Sequence, residues 1–169
     1  MQQLDPTPEF DGRFSDPAAG PTPWAETARA LEQAELYWLS TVRADGRPHV
    51  TPLIGVVADG APHFCTGLEE QKARNLERQA QVALTTGANS WAAGLDVVVE
   101  GRAVRVEDTT TLQRLAAMYL EKYGDDWRFG VGDGGFETDG HFAAVFRIEP
   151  AKVLAFAKQP HGQTRYRLG

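Results

Sequence analysis

Apolar and polar positions divide the chain into short β-rich runs separated by three helical ones. Residues 36–42 (LYWLSTV) are β-branched and aromatic and predict a strand. Asp45-Gly46 predicts a hairpin into a second strand at 48–57. Pro52 lies inside that run. Proline gives no N–H to a ladder, so it marks an edge strand or a bulge, and the irregularity beside Thr51 leaves backbone groups free to meet a ligand. A second Asp-Gly pair, Asp59-Gly60, turns the chain into a third strand at 62–66. Three strands joined by tight turns predict an antiparallel meander. Gly67 then breaks the pattern. A short helical run follows, with Ala73, Leu76 and Ala80 near one face, and a β-rich run closes the unit at 82–86.

The rest of the chain reads the same way. Residues 87–94 form a loop in which Trp91 either meets a ligand or packs on a neighbouring subunit or its own core. Residues 96–106 (DVVVEGRAVRV) predict a long strand, and Gly101 predicts a bulge or bend in it, as barrel closure requires. Asp108 is placed to cap a helix whose stripe of Leu112, Leu115, Ala116, Tyr119 and Tyr123 reads as core packing, with Gly124 ending it. The acidic, glycine-rich segment 125–140 is either a mobile lid or an irregular surface excursion. Two strands are expected at 142–148 and 153–157, divided by Glu149-Pro150. At the other end, residues 1–23 form a proline-rich arm, loose or laid over a neighbouring surface, in which five prolines exclude regular secondary structure. Thr22 is expected to cap a first helix, with Pro23 as its first residue and Trp24, Ala28 and Leu31 at helical spacing. The organisation is an arm, 1–23, and a single domain, 24–169.

Composition narrows the functional classes. The chain has 169 residues, enough for one real core, and a net charge of -6. An acidic chain is a poor match for nucleic acid, whose phosphates require clustered Lys and Arg. Cys65 is the single cysteine, so an intrachain disulfide and a multi-cysteine metal site are excluded. The four histidines lack close ligand spacing, and no metal is expected. With no signal-peptide pattern and no apolar run of membrane-spanning length, the expectation is a soluble cytoplasmic protein without a membrane partner.

Candidate chemistry gathers at 64–86. Thr66 brings a hydroxyl to the glycine turn, and Lys72 and Arg74 bring positive charge beyond it. Together with free N–H groups at the helix start, this set can cradle one phosphate group. The opposing observation is that Glu69 and Glu70 repel an anion placed beside them, and the same pattern describes an amphipathic surface helix with solvated charges. At the C-terminus, Arg165 and Arg167 share one face of an extended chain, with Tyr166 on the other. Such a pair grips a phosphate or carboxylate, or is simply a solvated basic end.

Three segments together carry a family resemblance: WLSTVRADGRPHVTPL (38–53), FCTG with EQKARNL (64–76), and TRYRL (164–168). In this combination the chain resembles the pyridoxamine 5'-phosphate oxidase-like superfamily of flavin- and deazaflavin-binding split β-barrels, from about residue 36 onward. The resemblance implies a mainly β fold with flanking helices, a split β-barrel, and a homodimer with two cofactor sites at its interface. It implies that Val50, Thr51, Pro52 and Leu53 run along the ring of the cofactor, backbone towards it. Thr66, Gly67 and Lys72 would hold the cofactor phosphate, with Gln71 and Asn75 as weaker transfers. Arg165 and Arg167 would approach cofactor or substrate from the same chain or its partner.

The implied activity is hydride transfer between bound FMN or coenzyme F-420 and a small planar substrate. Pyridoxamine phosphate oxidation itself is not implied, because the chain is short and the full set of substrate-phosphate residues has no match. The short form and KARNL segment look like the deazaflavin branch, whose cofactor has a longer acidic tail; Arg43, Arg47, Lys72, Arg74 and Arg78 would supply a basic groove for it. A binding or storage protein for flavin, haem or a tetrapyrrole is the alternative, and a structural dimer with a degenerate pocket ranks third.

Overall fold

The computed structural model describes residues 6–168; residues 1–5 of the expected arm and Gly169 lie outside the described residues. The elements are β1 (Glu9–Phe10), a 3-10 turn (Gly12–Phe14), α1 (Trp24–Gln33), β2 (Tyr37–Val42), β3 (Pro48–Leu53), β4 (Val56–Ala58) and β5 (Ala61–Thr66). There follow α2 (Gln71–Leu76), β6 (Gln81–Thr86), β7 (Leu95–Val106), α3 (Thr109–Tyr123), a 3-10 turn (Asp125–Trp127), β8 (Gly130–Gly132), β9 (Gly135–Thr138), β10 (His141–Lys158) and β11 (His161–Arg167). The fold is mainly β, as the alternating pattern predicts, and its pairings are antiparallel. Strand order is β1-β11-β10-β7-β6-β2-β3, with β5 and β9 also joined to β10. β10 is the spine: it lies between β7 and β5 at Val145–Arg147, and between β7 and β11 further on.

Two cores follow from the strand faces. The first takes alternate residues from successive strands: Tyr37 and Leu39, Leu84, Val97 and Val99, Val153 and Ala155, and Tyr166, with Leu31 of α1 closing it. The second lies under α3, where Leu112, Leu115, Ala116 and Tyr119 meet Val56, Phe136 and Val145. The predicted stripe of α3 is thus core packing, and each fully buried leucine stabilises the fold by about 1.5–3 kcal/mol. The helix starts where Asp108 accepts from the Thr111 N–H at 2.8 Å, and ends at Gly124, with φ 82°. Among the described residues, no helix is long and apolar enough to cross a membrane.

Several expectations are corrected. Residues 48–57 form two strands, because the chain breaks at Ile54–Gly55. A Cβ at Gly55 would lie 2.8 Å from the His63 carbonyl oxygen, so only glycine passes so closely. Lys122 Nζ and Tyr123 Oη donate to the Gly55 carbonyl at 3.0 and 2.8 Å and hold the break. β3 therefore stays with β2, β4 pairs with β5, and β5 crosses to β10. The three expected strands over 36–66 therefore do not form a meander. Pro52 lies on β3, the terminal strand of the path, where its missing N–H costs no ladder bond.

The bulge expected at Gly101 belongs to the facing strand. The register shifts at Ala151, between Pro150 and Lys152, and a Cβ on Gly101 would meet the Glu149 carbonyl oxygen at 2.2 Å. Because the shift accommodates Pro150, 141–158 is one strand and not two. Segment 125–140 is not an irregular loop: it folds into the β8–β9 hairpin, with Phe136 fully buried and stacked on Phe129 at 4.6 Å. Its signal was Asp133-Gly134 and Asp139-Gly140, where both residues take positive φ in tight turns, as at Asp59-Gly60.

The described part of the arm docks on its own chain. β1 pairs with β11 through Glu9 and Phe10, and the Asp11 and Asp16 N–H groups donate to Gln163 and His161 carbonyls. The prolines shorten the strand without abolishing it. Thr22 does not cap α1. Its N–H donates to Thr164 Oγ1 at 2.9 Å and its carbonyl accepts from Tyr166 Oη at 2.5 Å, leaving Pro23 at the N-cap. Trp91 is 90% exposed and touches no core of its own chain.

Candidate functional site

The chemistry gathers at the turn that ends β5. The chain doubles back at Gly67, and the Glu70 N–H closes the turn on the Gly67 carbonyl at 3.2 Å. The side chain of Glu70 then folds inward. Its Oε1 accepts from the Gly67 N–H at 3.0 Å and from Thr66 Oγ1 at 3.1 Å, and its Oε2 accepts from Lys72 Nζ. Thr66, Gly67 and Lys72 are thus brought together, and together they point at one anion. That anion is the chain's own carboxylate. Burial pushes the Glu70 carboxyl upward, but Lys72, the Gly67 N–H and Thr66 outweigh it and hold the group below the ordinary range.

Lys72 sits there because α2 is short and packed inward: Lys72, Ala73, Asn75 and Leu76 are all buried. Lys72 is 7% exposed, and a buried ammonium without a counter-charge costs several kcal/mol. Asn75 ties the helix to β2 by donating to Thr41 Oγ1 at 2.8 Å, and Gln71 donates to Asn75 Oδ1 at 2.8 Å. These two predicted residues therefore position α2. Across the hairpin from Thr41 lies His49, whose Nδ1 is 3.4 Å from Thr41 Oγ1. Burial lowers the His49 pKa, and the charges of Arg43 and Lys72 lower it further, so its ring is neutral at neutral pH. Sequence reasoning missed His49; the register of the Asp45-Gly46 hairpin was the available signal.

Val50, Thr51, Pro52 and Leu53 occupy the β3 edge and alternate between its faces. Thr51 and Leu53 turn inward, Leu53 against the first core. Val50 and Pro52 turn outward beside Trp38 and Val42, and Val50, Trp38 and Val42 leave an apolar patch exposed at 55, 47 and 37%.

Arg165 and Arg167 stand elsewhere. Both hold Glu9, Arg165 through Nε at 2.8 Å and Nη2 at 2.5 Å, and Arg167 through Nε at 3.3 Å. In register along β10, Thr66 faces Ala144 and Arg165 faces Leu154, roughly 30 Å further along the strand. Within one chain the arginines and the Lys72 seat are not brought together. Three of the five expected groove cations are already paired: Arg47 holds Asp45, Lys72 holds Glu70 and Arg74 holds Glu69.

Beside the seat lies a cavity of about 460 Å³, lined by Gly67 and Glu70 on one side and by Phe129, Phe136, His141 and Phe142 on the other. Its aromatic wall joins Phe136 of β9 to Phe129, just before β8, and Phe142 of β10.

The model of the family described as pyridoxamine 5'-phosphate oxidase matches residues 24–156. The chain belongs to this family. The match takes in α1, which the sequence resemblance left out, and ends before Arg165 and Arg167. No curated protein matches the sequence. Among solved structures, the family chain is similar to the conserved hypothetical protein Rv2991 from Mycobacterium tuberculosis, with 22% identity, TM-score 0.68, and coverage of 95% of this chain and 91% of that one. It is also similar to a heme binding protein from Mycobacterium smegmatis, at 20% identity and TM-score 0.66, covering 83% of this chain and 56% of that one. A third is a pyridoxamine 5'-phosphate oxidase-related, FMN binding protein from Nostoc punctiforme, at 17% identity and TM-score 0.57, with 85% of each chain covered. These likenesses establish the fold, a split β-barrel.

Proposed function

We propose that the chain is a flavin-dependent oxidoreductase that works as a homodimer, transferring a hydride between a bound FMN or F-420 ring and a small planar substrate. The observation that carries this reading is the convergence of the Thr66 hydroxyl, the Gly67 N–H and the Lys72 ammonium on one anion. That donor set fits the single phosphate at the end of FMN once Glu70 leaves it. The ring supplies hydride chemistry when bound; the chain supplies the anchor and the orientation. Thr66, Gly67 and Lys72 hold the acidic end, Asn75 and Gln71 fix the helix that carries Lys72, and the β3 edge from Val50 to Leu53 runs beside the ring. Arg165 and Arg167 reach a site only from a partner copy, and the apolar patch of Trp38, Val42 and Val50 is the surface on which that copy packs. FMN stands ahead of F-420, because beyond the shared Lys72 two of the four other cations expected to hold a long acidic tail, Arg47 and Arg74, already hold carboxylates.

A second reading is a binding or storage protein for haem or another tetrapyrrole. The similar fold of the heme binding protein from Mycobacterium smegmatis favours it, as does the occupation of the seat by Glu70. Titration of the purified chain with FMN, F-420 and haemin, followed by ring absorbance, separates the two. The proposal expects flavin or deazaflavin binding and reductant-dependent turnover; haemin binding alone would replace it with the second reading.

A further inference from the structure

Glu70 is more than an ordinary surface acid. It lies one residue before a helix of six residues, yet its side chain caps no N–H of that helix and reaches back to the Gly67 N–H at the end of β5. Both carboxylate oxygens are engaged: Oε1 by the Gly67 N–H and the Thr66 hydroxyl, Oε2 by Lys72. Among the described residues, Glu70 is the only ion-pair partner of Lys72. The two ends of this pair differ sharply in burial. The Lys72 side chain is 9% exposed and fixed by α2, whereas that of Glu70 is 51% exposed and borders the open cavity beside the seat. Glu70 can therefore leave by rotating its own side chain, with no core rearrangement, while the cation and the donors stay in place.

We infer that Glu70 is an intramolecular competitor for the acidic end of the ligand and so determines which ligands the site admits. This rests on the flavin reading above. In the free chain the carboxylate satisfies the seat. A ligand that ends in a phosphate must displace it, and the apparent affinity falls by the fraction of molecules in which the seat is open. A ring ligand without an acidic end has no use for the seat, and Glu70 stays where it is. The seat thus discriminates against weakly held phosphates in general, inorganic phosphate included, and admits a phosphate carried by a ring that gains contacts elsewhere.

The full chain is compared as wild type, Glu70→Gln and Glu70→Ala, with inorganic phosphate, FMN and riboflavin as probes. In both variants the Gly67 amide resonance should respond to phosphate at concentrations about tenfold or more below those needed for wild type. FMN should bind both variants at least about tenfold more tightly, with riboflavin affinity unchanged. Equal phosphate responses in the three proteins would overturn the inference, whatever FMN does. Phosphate responses as expected, with no FMN binding to any of the three, would leave the role of Glu70 standing and overturn the flavin reading instead. Should Glu70→Ala fail to fold with the Lys72 charge unpaired, the near-isosteric Glu70→Gln carries the test.

Discussion

Lys72, a residue only 7% exposed, rests its ammonium on the carboxylate of Glu70 two positions earlier in the chain. Desolvating an ammonium is costly, and a half-exposed carboxylate repays only part of that cost. A lysine that served stability alone would be better replaced by an apolar residue. On the proposed function, the charge is there for the acidic end of a ligand.

Lys72→Met should accordingly fold as well as wild type. Removing the buried cation leaves the half-exposed Glu70 carboxylate with water, the Gly67 N–H and the Thr66 hydroxyl as partners, and the expected change in unfolding free energy is within about 1 kcal/mol. A urea titration checks this. A loss of more than about 3 kcal/mol would identify Lys72 as a structural residue.

Tyr166 locks the arm and α1 to β11. Its hydroxyl lies 2.5 Å from the Thr22 carbonyl and 2.9 Å from Thr27 Oγ1, and both partners are buried. Tyr166→Phe strands the Thr22 carbonyl and should cost about 1–3 kcal/mol. Thermal unfolding measures it, and an unchanged midpoint would show that water replaces the hydroxyl.

How much of this was legible in the sequence depends on the range over which each residue acts. Asp108, Gly124 and the α3 stripe act within one helix, and the helix lies where they place it. The break at Gly55 was not legible, because its cause is the His63 carbonyl on another strand and Lys122 and Tyr123 on a distant helix. The same holds for Ala151, whose bulge answers to Gly101 across the sheet. In the site, Thr66, Gly67 and Lys72 were visible as a cluster, and the repulsion of Glu70 for an anion was noted. Invisible was the direction of its side chain, which makes Glu70 the occupant of the seat and not its neighbour. Arg165 and Arg167 read as a free pair because nothing in the sequence announces that the strand Glu9–Phe10 would bring a carboxylate to them.

His63 gives the fold a pH dependence. It is 4% exposed, its Nδ1 lies 2.9 Å from the Ala61 carbonyl, and burial, with the charges of Arg147 and Arg114, brings its pKa down to about 4. The unfolded chain therefore binds a proton between about pH 6.5 and 4 that the folded chain refuses. Stability should be complete above pH 6.5 and fall as the pH drops through that window, by on the order of 3 kcal/mol. Denaturant titrations across this range check it, with His63→Gln as reference. An equal slope in the variant would assign the effect to other groups.

The apolar patch on β2 and β3 predicts association. Wild type should scatter light as twice 18.5 kDa. Val50→Asp places a charge among Trp38, Val42 and Pro52 and should yield single chains that no longer retain flavin. A wild-type protein that is a single chain at all concentrations would leave Arg165 and Arg167 without a site to reach.

The affinity of the purified protein for FMN, measured by fluorescence titration in wild type and in Lys72→Met, tests the central claim most directly. The account predicts saturable binding to wild type and a loss of about 10- to 100-fold in the variant, the worth of a charge-assisted hydrogen bond to phosphate. Equal affinity in the two proteins, or no flavin binding to the folded wild type, would contradict it.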